Sequence, residues 1–109
     1  MGVVKMYRFN GNRYLTKGIK AEIPLDLQLI LWFLLDEQIK SGLELDYLQV
    51  FALSPYPKDG AVYQKIVHSQ EIPPRKREKI LNVFDKPISE KIYIIDSLEY
   101  VTMLIASEY

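Results

Sequence analysis

His68 is the one histidine in this 109-residue chain and the first place to look for chemistry. It sits within Lys65-Ile66-Val67-His68-Ser69-Gln70-Glu71. Imidazole titrates near neutrality, so His68 could act as a general base, oriented by Glu71 or a tyrosine. That role needs a nucleophile or a second catalytic group beside it, and the sequence identifies neither. A strand histidine hydrogen-bonded to a neighbour is the simpler reading, and no catalytic residue is assigned. Transition-metal sites draw on several His or Cys ligands, whereas this chain has one His and no Cys. Its carboxylates are scattered over element ends rather than grouped. No metal or cofactor is therefore expected. Phosphate-cradling glycine loops, the nucleophile elbow and the H-E-x-x-H pattern are all missing from the sequence.

The second chemistry-bearing feature is Pro73-Pro74-Arg75-Lys76-Arg77-Glu78-Lys79. Arg75, Lys76, Arg77 and Lys79 could contact a phosphate backbone, giving salt-dependent binding. A solvated basic surface segment is the competing reading. Residues 1–20 add Lys5, Arg8, Arg13, Lys17 and Lys20 with no anion, together with Tyr7, Phe9 and Tyr14. Cations interleaved with aromatics suit single-stranded nucleic acid. The third feature is the set of eight tyrosines. Tyrosine is favoured at interfaces because a large apolar ring ends in a polar tip, and it is equally at home in sheets. Trp32, Phe33, Tyr56 and Tyr63 are the candidate interaction residues.

Elements must place these groups. The length fits one domain, here 1–109, and 49% hydrophobic with 26% charged residues is globular composition. Zero net charge excludes a generally basic nucleic-acid coat and a generally acidic DNA mimic. Charge is balanced only globally, because residues 21–60 are acidic and residues 61–80 basic. Without Cys there is no disulfide framework, which points to a cytoplasmic protein. The longest unbroken apolar run, Leu29 to Leu35, is far short of the ~20 residues of a spanning helix. Neither a membrane span nor a signal peptide is expected.

The clearest element is a helix after Pro24, with Asp26 in its first turn and Gly42 just beyond its end. Leu27, Ile30, Leu31, Leu34 and Gln38 form one stripe, while Leu25, Leu29, Trp32 and Phe33 form another. Apolar residues almost all the way round predict burial on more than one side. At the N-terminus, Val3–Phe9 and Asn12–Ile19 flank Asn10-Gly11 and read as a hairpin on a type I′ turn. That register sets the rings of Tyr7, Phe9 and Tyr14 opposite Arg8, Arg13 and Lys17. Asp46–Leu53 and Val62–Gln70 read as strands joined through residues 54–61. Lys91–Asp96 and Tyr100–Ala106 read as a second hairpin across Ser97-Leu98-Glu99. Residues 74–84 read as a short helix or an extended arm.

The expected fold is thus α+β: a mainly antiparallel sheet of four to six strands, one long helix packed across it, and room for a short second helix. Both strand faces are rather apolar, so something besides the long helix must cover the second face. The candidates are the N-terminal hairpin, residues 74–84, or a second copy of the chain in a homodimer.

The segments RYLTKGI (13–19), EIPLDLQLILW (22–32), LDYLQVFALS (45–54), QKIVHSQEIP (64–73), KIYIIDS (91–97) and TMLIASEY (102–109) resemble a small Firmicute family. It is domain-of-unknown-function family nine-sixty, first catalogued in staphylococci. The resemblance covers residues 13–109, leaving residues 1–12 as an N-terminal strand and turn extension. It implies no activity and no catalytic residues. Arg75-Lys76-Arg77 departs from the family pattern, so the resemblance lends nothing to nucleic-acid binding there. The occurrence of similar proteins on chromosomes and mobile elements implies an accessory role. The functional expectation is a non-enzymatic protein–protein interaction module whose partner is an unidentified protein or a second copy. The alternatives are a single-stranded nucleic-acid accessory factor using residues 73–79 and a small enzyme using His68.

Overall fold

The structure is a computed structural model, and it describes residues 6–82 and 86–109. The chain runs β1 (Asn12–Leu15), α1 (Lys17–Glu22), α2 (Leu25–Lys40), β2 (Leu48–Lys58), β3 (Ala61–Gln70), β4 (Arg75–Leu81), β5 (Glu90–Asp96) and β6 (Tyr100–Ile105), then a 3₁₀ turn at Ala106–Glu108. The six strands form one sheet in the order β1-β6-β5-β2-β3-β4. All neighbours are antiparallel except β1, which lies parallel to β6. This is the expected α+β architecture, with its long helix and a short one.

Helix α2 forms where expected. Pro24 is its N-cap, Asp26 lies in the first turn and Lys40 in the last, each on the end its charge favours. Gly42 takes φ +75° just past the end, a conformation that costs glycine no Cβ clash. Leu27, Leu31, Leu34 and Leu35 are buried against a sheet face made by Phe51, Leu53, Ile66, Ile92, Ile94, Met103 and Ile105. Burying one such aliphatic side chain is worth about 1.5–3 kcal/mol, which is what holds the two layers together.

The second apolar stripe behaves differently from expectation. Leu25, Leu29 and Phe33 are 67%, 60% and 61% exposed, so the helix is buried along one side only. Trp32 is half-buried beneath Arg13, whose guanidinium lies 4.8 Å from the ring centroid and also pairs with Asp36. One sheet face covers one side of a helix, and this stripe on the other side is left in solvent.

The N-terminal hairpin is corrected. Val3–Lys5 lie outside the described residues, and residues 6–11 are not strand. Residues 12–15 pair instead with β6, and Lys17–Glu22 turn into helix under a Thr16 cap whose Oγ1 accepts from the Ile19 N–H at 3.3 Å. Phe9 is buried, and its N–H donates to Asp96 Oδ2 at 2.9 Å, so this segment is anchored to the end of β5 rather than to itself. A primed-type turn occurs elsewhere, at Asp59-Gly60 (φ +51° and +82°), closing β2 directly onto β3. β2 therefore runs through residues expected to be loop. Pro55 and Pro57 sit beyond Leu53, where pairing with β5 stops, so their missing N–H groups cost no ladder bond. The result is a two- to three-stranded arm projecting from the sheet, and the molecule measures 56 × 28 × 22 Å. Within residues 74–84, neither helix nor free arm is found over 75–81: this is edge strand β4, while 83–84 lie outside the described residues.

Candidate functional site

Strand alternation sorts the sheet into two faces with different chemistry. On the face under α2, β2 contributes Gln49, Phe51 and Leu53, and β3 contributes Gln64, Ile66, His68 and Gln70, all buried. His68 stacks on Phe51 with centroids 4.2 Å apart and rings 17° from parallel. Its Nε2 lies 2.7 Å from Gln49 Oε1. Gln49 Nε2 donates to Asp46 O at 2.9 Å and Gln70 Oε1 at 2.8 Å, and Gln70 Nε2 donates to Glu44 O and Pro73 O. These amides bond the irregular backbone around the helix-to-sheet connection, where regular ladders cannot. Gln64 does the same at the other end, donating to Ser54 O and Ile88 O and accepting from the Ile88 N–H.

Burial first, then the charges of Arg77 and Arg75, push the His68 pKa down from 6.5 to about 3. The imidazole is neutral at physiological pH, and neither Glu71 nor a tyrosine orients it.

The basic segment is split by its own strand register. Arg75, Arg77 and Lys79 share the helix side, while Lys76 and Glu78 point the other way. Arg75 donates to Gln38 Oε1 at 3.2 Å and to Glu44 O at 2.9 Å. Arg77 donates to Leu34 O and pairs with Glu37 at 3.5 Å. Two of the four predicted phosphate contacts thus fasten β4 to α2, leaving Lys76 and Lys79 exposed.

The opposite face carries the tyrosines. Register places Tyr14, Tyr56, Tyr63, Tyr93 and Tyr100 there, among Leu48, Val50, Ala52, Val67, Ile95 and Leu104, and places none under the helix. Tyr14 meets Tyr100 edge-on at 5.9 Å, and Tyr109 meets Tyr93 edge-on at 5.6 Å. Tyr109 and burial raise the pKa of Tyr47, whose ring lies 5.8 Å from that of Tyr7. On the projecting arm, Tyr56 and Tyr63 are direct cross-strand partners, and Lys65 Nζ lies 5.7 Å from the Tyr56 centroid. They line a cleft of about 430 Å³ together with Lys58, Asp59, Ile80 and Leu81. Of the four predicted interaction residues, the structure brings Tyr56 and Tyr63 together. Trp32 and Phe33 sit on the other side of the molecule.

Sequence reasoning missed the arm and the buried glutamines. Period-two spacing of Gln64, His68 and Gln70 with Ile66 is visible in the sequence, but amides alternating with apolar residues do not by themselves say which face is buried. Among the described residues, no cluster of three or more His, Cys, Asp or Glu could hold a metal, and no helix is long and apolar enough to cross a membrane.

The sequence pattern of a family described as a staphylococcal protein of unknown function (DUF960) matches residues 12–108. The chain belongs to this family. No curated protein matches it. This DUF960 member shares its fold with a crystal structure of a protein of unknown function from Enterococcus faecalis, at 22% identity and a TM-score of 0.75, over 98% of each chain. The family thus spans nearly all of the sheet and both helices described above.

Proposed function

We propose that this DUF960 member is a non-enzymatic, cytoplasmic interaction module that binds another protein through the tyrosine-bearing face of its sheet. One observation carries the reading: every strand tyrosine points away from α2, onto a face where the C-terminal Tyr109 reaches Tyr93 while Tyr14 and Tyr100 stay exposed. Rings with polar tips suit a surface that is wet when free and dry when bound. The arm offers Tyr56 and Tyr63 in a cleft rimmed by Ile80 and Leu81. The nucleic-acid reading is weaker because Arg75 and Arg77 are committed to α2.

The test is capture from host lysate, with and without nuclease, by wild type and by the Tyr56→Lys/Tyr63→Lys double variant. The expected result is a protein that survives nuclease and is lost with the double variant. A second copy of the chain counts as such a protein if light scattering gives a dimer mass that falls to monomer in the variant. Capture abolished by nuclease, or unchanged by the double variant, overturns the proposal.

A further inference from the structure

On the dry face, a small cavity of about 10 Å³ lies beneath α2, lined by Gln38, Gln49, His68, Ser69, Arg75 and Arg77. Three buried side-chain atoms have no hydrogen-bond partner among the described residues: His68 Nδ1, Arg77 Nε and Glu37 Oε1. His68 and Arg77 are directly opposed across β3 and β4, and both line the cavity.

The surrounding bonds fix which of these atoms carries a proton. Both amide hydrogens of Gln49 are used, on Asp46 O and Gln70 Oε1, so its Oε1 can only accept. His68 Nε2 must therefore donate to it at 2.7 Å. The neutral ring then presents a bare lone pair at Nδ1. Arg77 Nε always carries a hydrogen and can only donate. The lone pair of buried His68 Nδ1 disfavours an anion, and the two guanidiniums that line the cavity disfavour a cation. The occupant must both accept and donate. A cavity of ~10–15 Å³ holds one water, and buried waters commonly serve otherwise unbonded polar groups.

We infer that this cavity is a binding site for a single water molecule, which accepts a hydrogen bond from Arg77 Nε and donates one to His68 Nδ1. The water completes a latch: His68 on β3, Arg77 on edge strand β4, and the Leu34 carbonyl and Glu37 on α2 become one bonded unit. This site lies on the opposite side of the sheet from the tyrosines and is independent of what they bind.

Two measurements on the wild-type protein test it. A high-resolution crystal structure at neutral pH should show one water within about 3 Å of both atoms. Long-range proton–nitrogen correlation of the imidazole should show Nε2 protonated and Nδ1 bare. His68→Phe keeps a ring on Phe51 but removes the lone pair, and the water's occupancy should be lost. A direct Arg77–His68 contact, a halide or other solute in the cavity, an Nδ1-protonated ring, or a water unmoved in His68→Phe overturns the inference.

Discussion

The two faces of one sheet use polar groups in opposite ways. Under α2, Gln49, Gln64 and Gln70 are buried and each amide is bonded to backbone or to another amide. On the other face, tyrosines stand half-buried or exposed, with rings that meet one another edge-on. The first arrangement spends its hydrogen bonds internally and specifies the fold. The second leaves hydroxyls and ring surface available to a partner. Substitutions on the dry face should therefore be read out as stability, and substitutions on the tyrosine face as binding.

The largest expected effect breaks the dry face. Phe51 is fully buried and carries the His68 stack, so Phe51→Ala should cost about 3–5 kcal/mol in denaturant unfolding. A loss below 1 kcal/mol would mean that the core does not rest on this strand.

Next is acid sensitivity. Unfolded, His68 titrates near 6.5, but folded it titrates at about 3, so between those values the unfolded chain binds more protons. This penalty is absent above pH 6.5 and grows as pH falls toward 3, by about 1.4 kcal/mol per pH unit. Wild type should lose stability relative to His68→Gln at that rate across the window. Parallel stability curves for the two proteins would show that His68 is not buried neutral.

A smaller effect is expected at the N-cap of α1. Thr16 Oγ1 accepts from the Ile19 N–H and donates to Glu108 Oε1 at 2.7 Å, which helps hold the Glu108 pKa below the usual carboxylate range. Thr16→Ala should cost about 1 kcal/mol by thermal unfolding. It should also raise the Glu108 pKa in a carboxylate NMR titration.

The smallest stability change sharpens the comparison most. Tyr56→Lys/Tyr63→Lys exchanges a cross-strand aromatic pair on the projecting arm for two opposed lysines, and should cost no more than about 1 kcal/mol in all while abolishing capture. Equal loss of stability and binding would mean that the arm is structural.

Much of this fold was legible because strong local signals agreed with it. Pro24, Asp26 and Gly42 bracket α2 within a residue or so of its ends. Leu98, at φ +75°, turns β5 back into β6 as the spacing predicts. Where signals were ambiguous, tertiary context decided. Asn10-Gly11 and Asp59-Gly60 are both good turn dipeptides, and only the second has a paired strand on each side. Nothing local in Arg13–Leu15 announces that its partner is Val101–Met103, nearly ninety residues away. The candidate site was half visible. Tyr56 and Tyr63 stood out as aromatics, but the sorting of tyrosines to one face depends on four strand pairings at once. The basic run looked like a ligand surface because sequence adjacency hides alternation: Arg75 and Arg77 turn toward α2, and Lys76 turns away.

That same strand has a consequence for the protein at high concentration. β4 is an open edge, with hydrogen-bonding groups along one side unclaimed by any strand among the described residues. Such an edge invites fibrillar association between copies. In a two-fold-symmetric antiparallel pairing the central residue faces itself. Centring on residues 76 to 79 would oppose Lys76, Arg77, Glu78 or Lys79 to its own like charge. The charges along β4 thus act as gatekeepers, making edge-to-edge self-assembly costly in every such register.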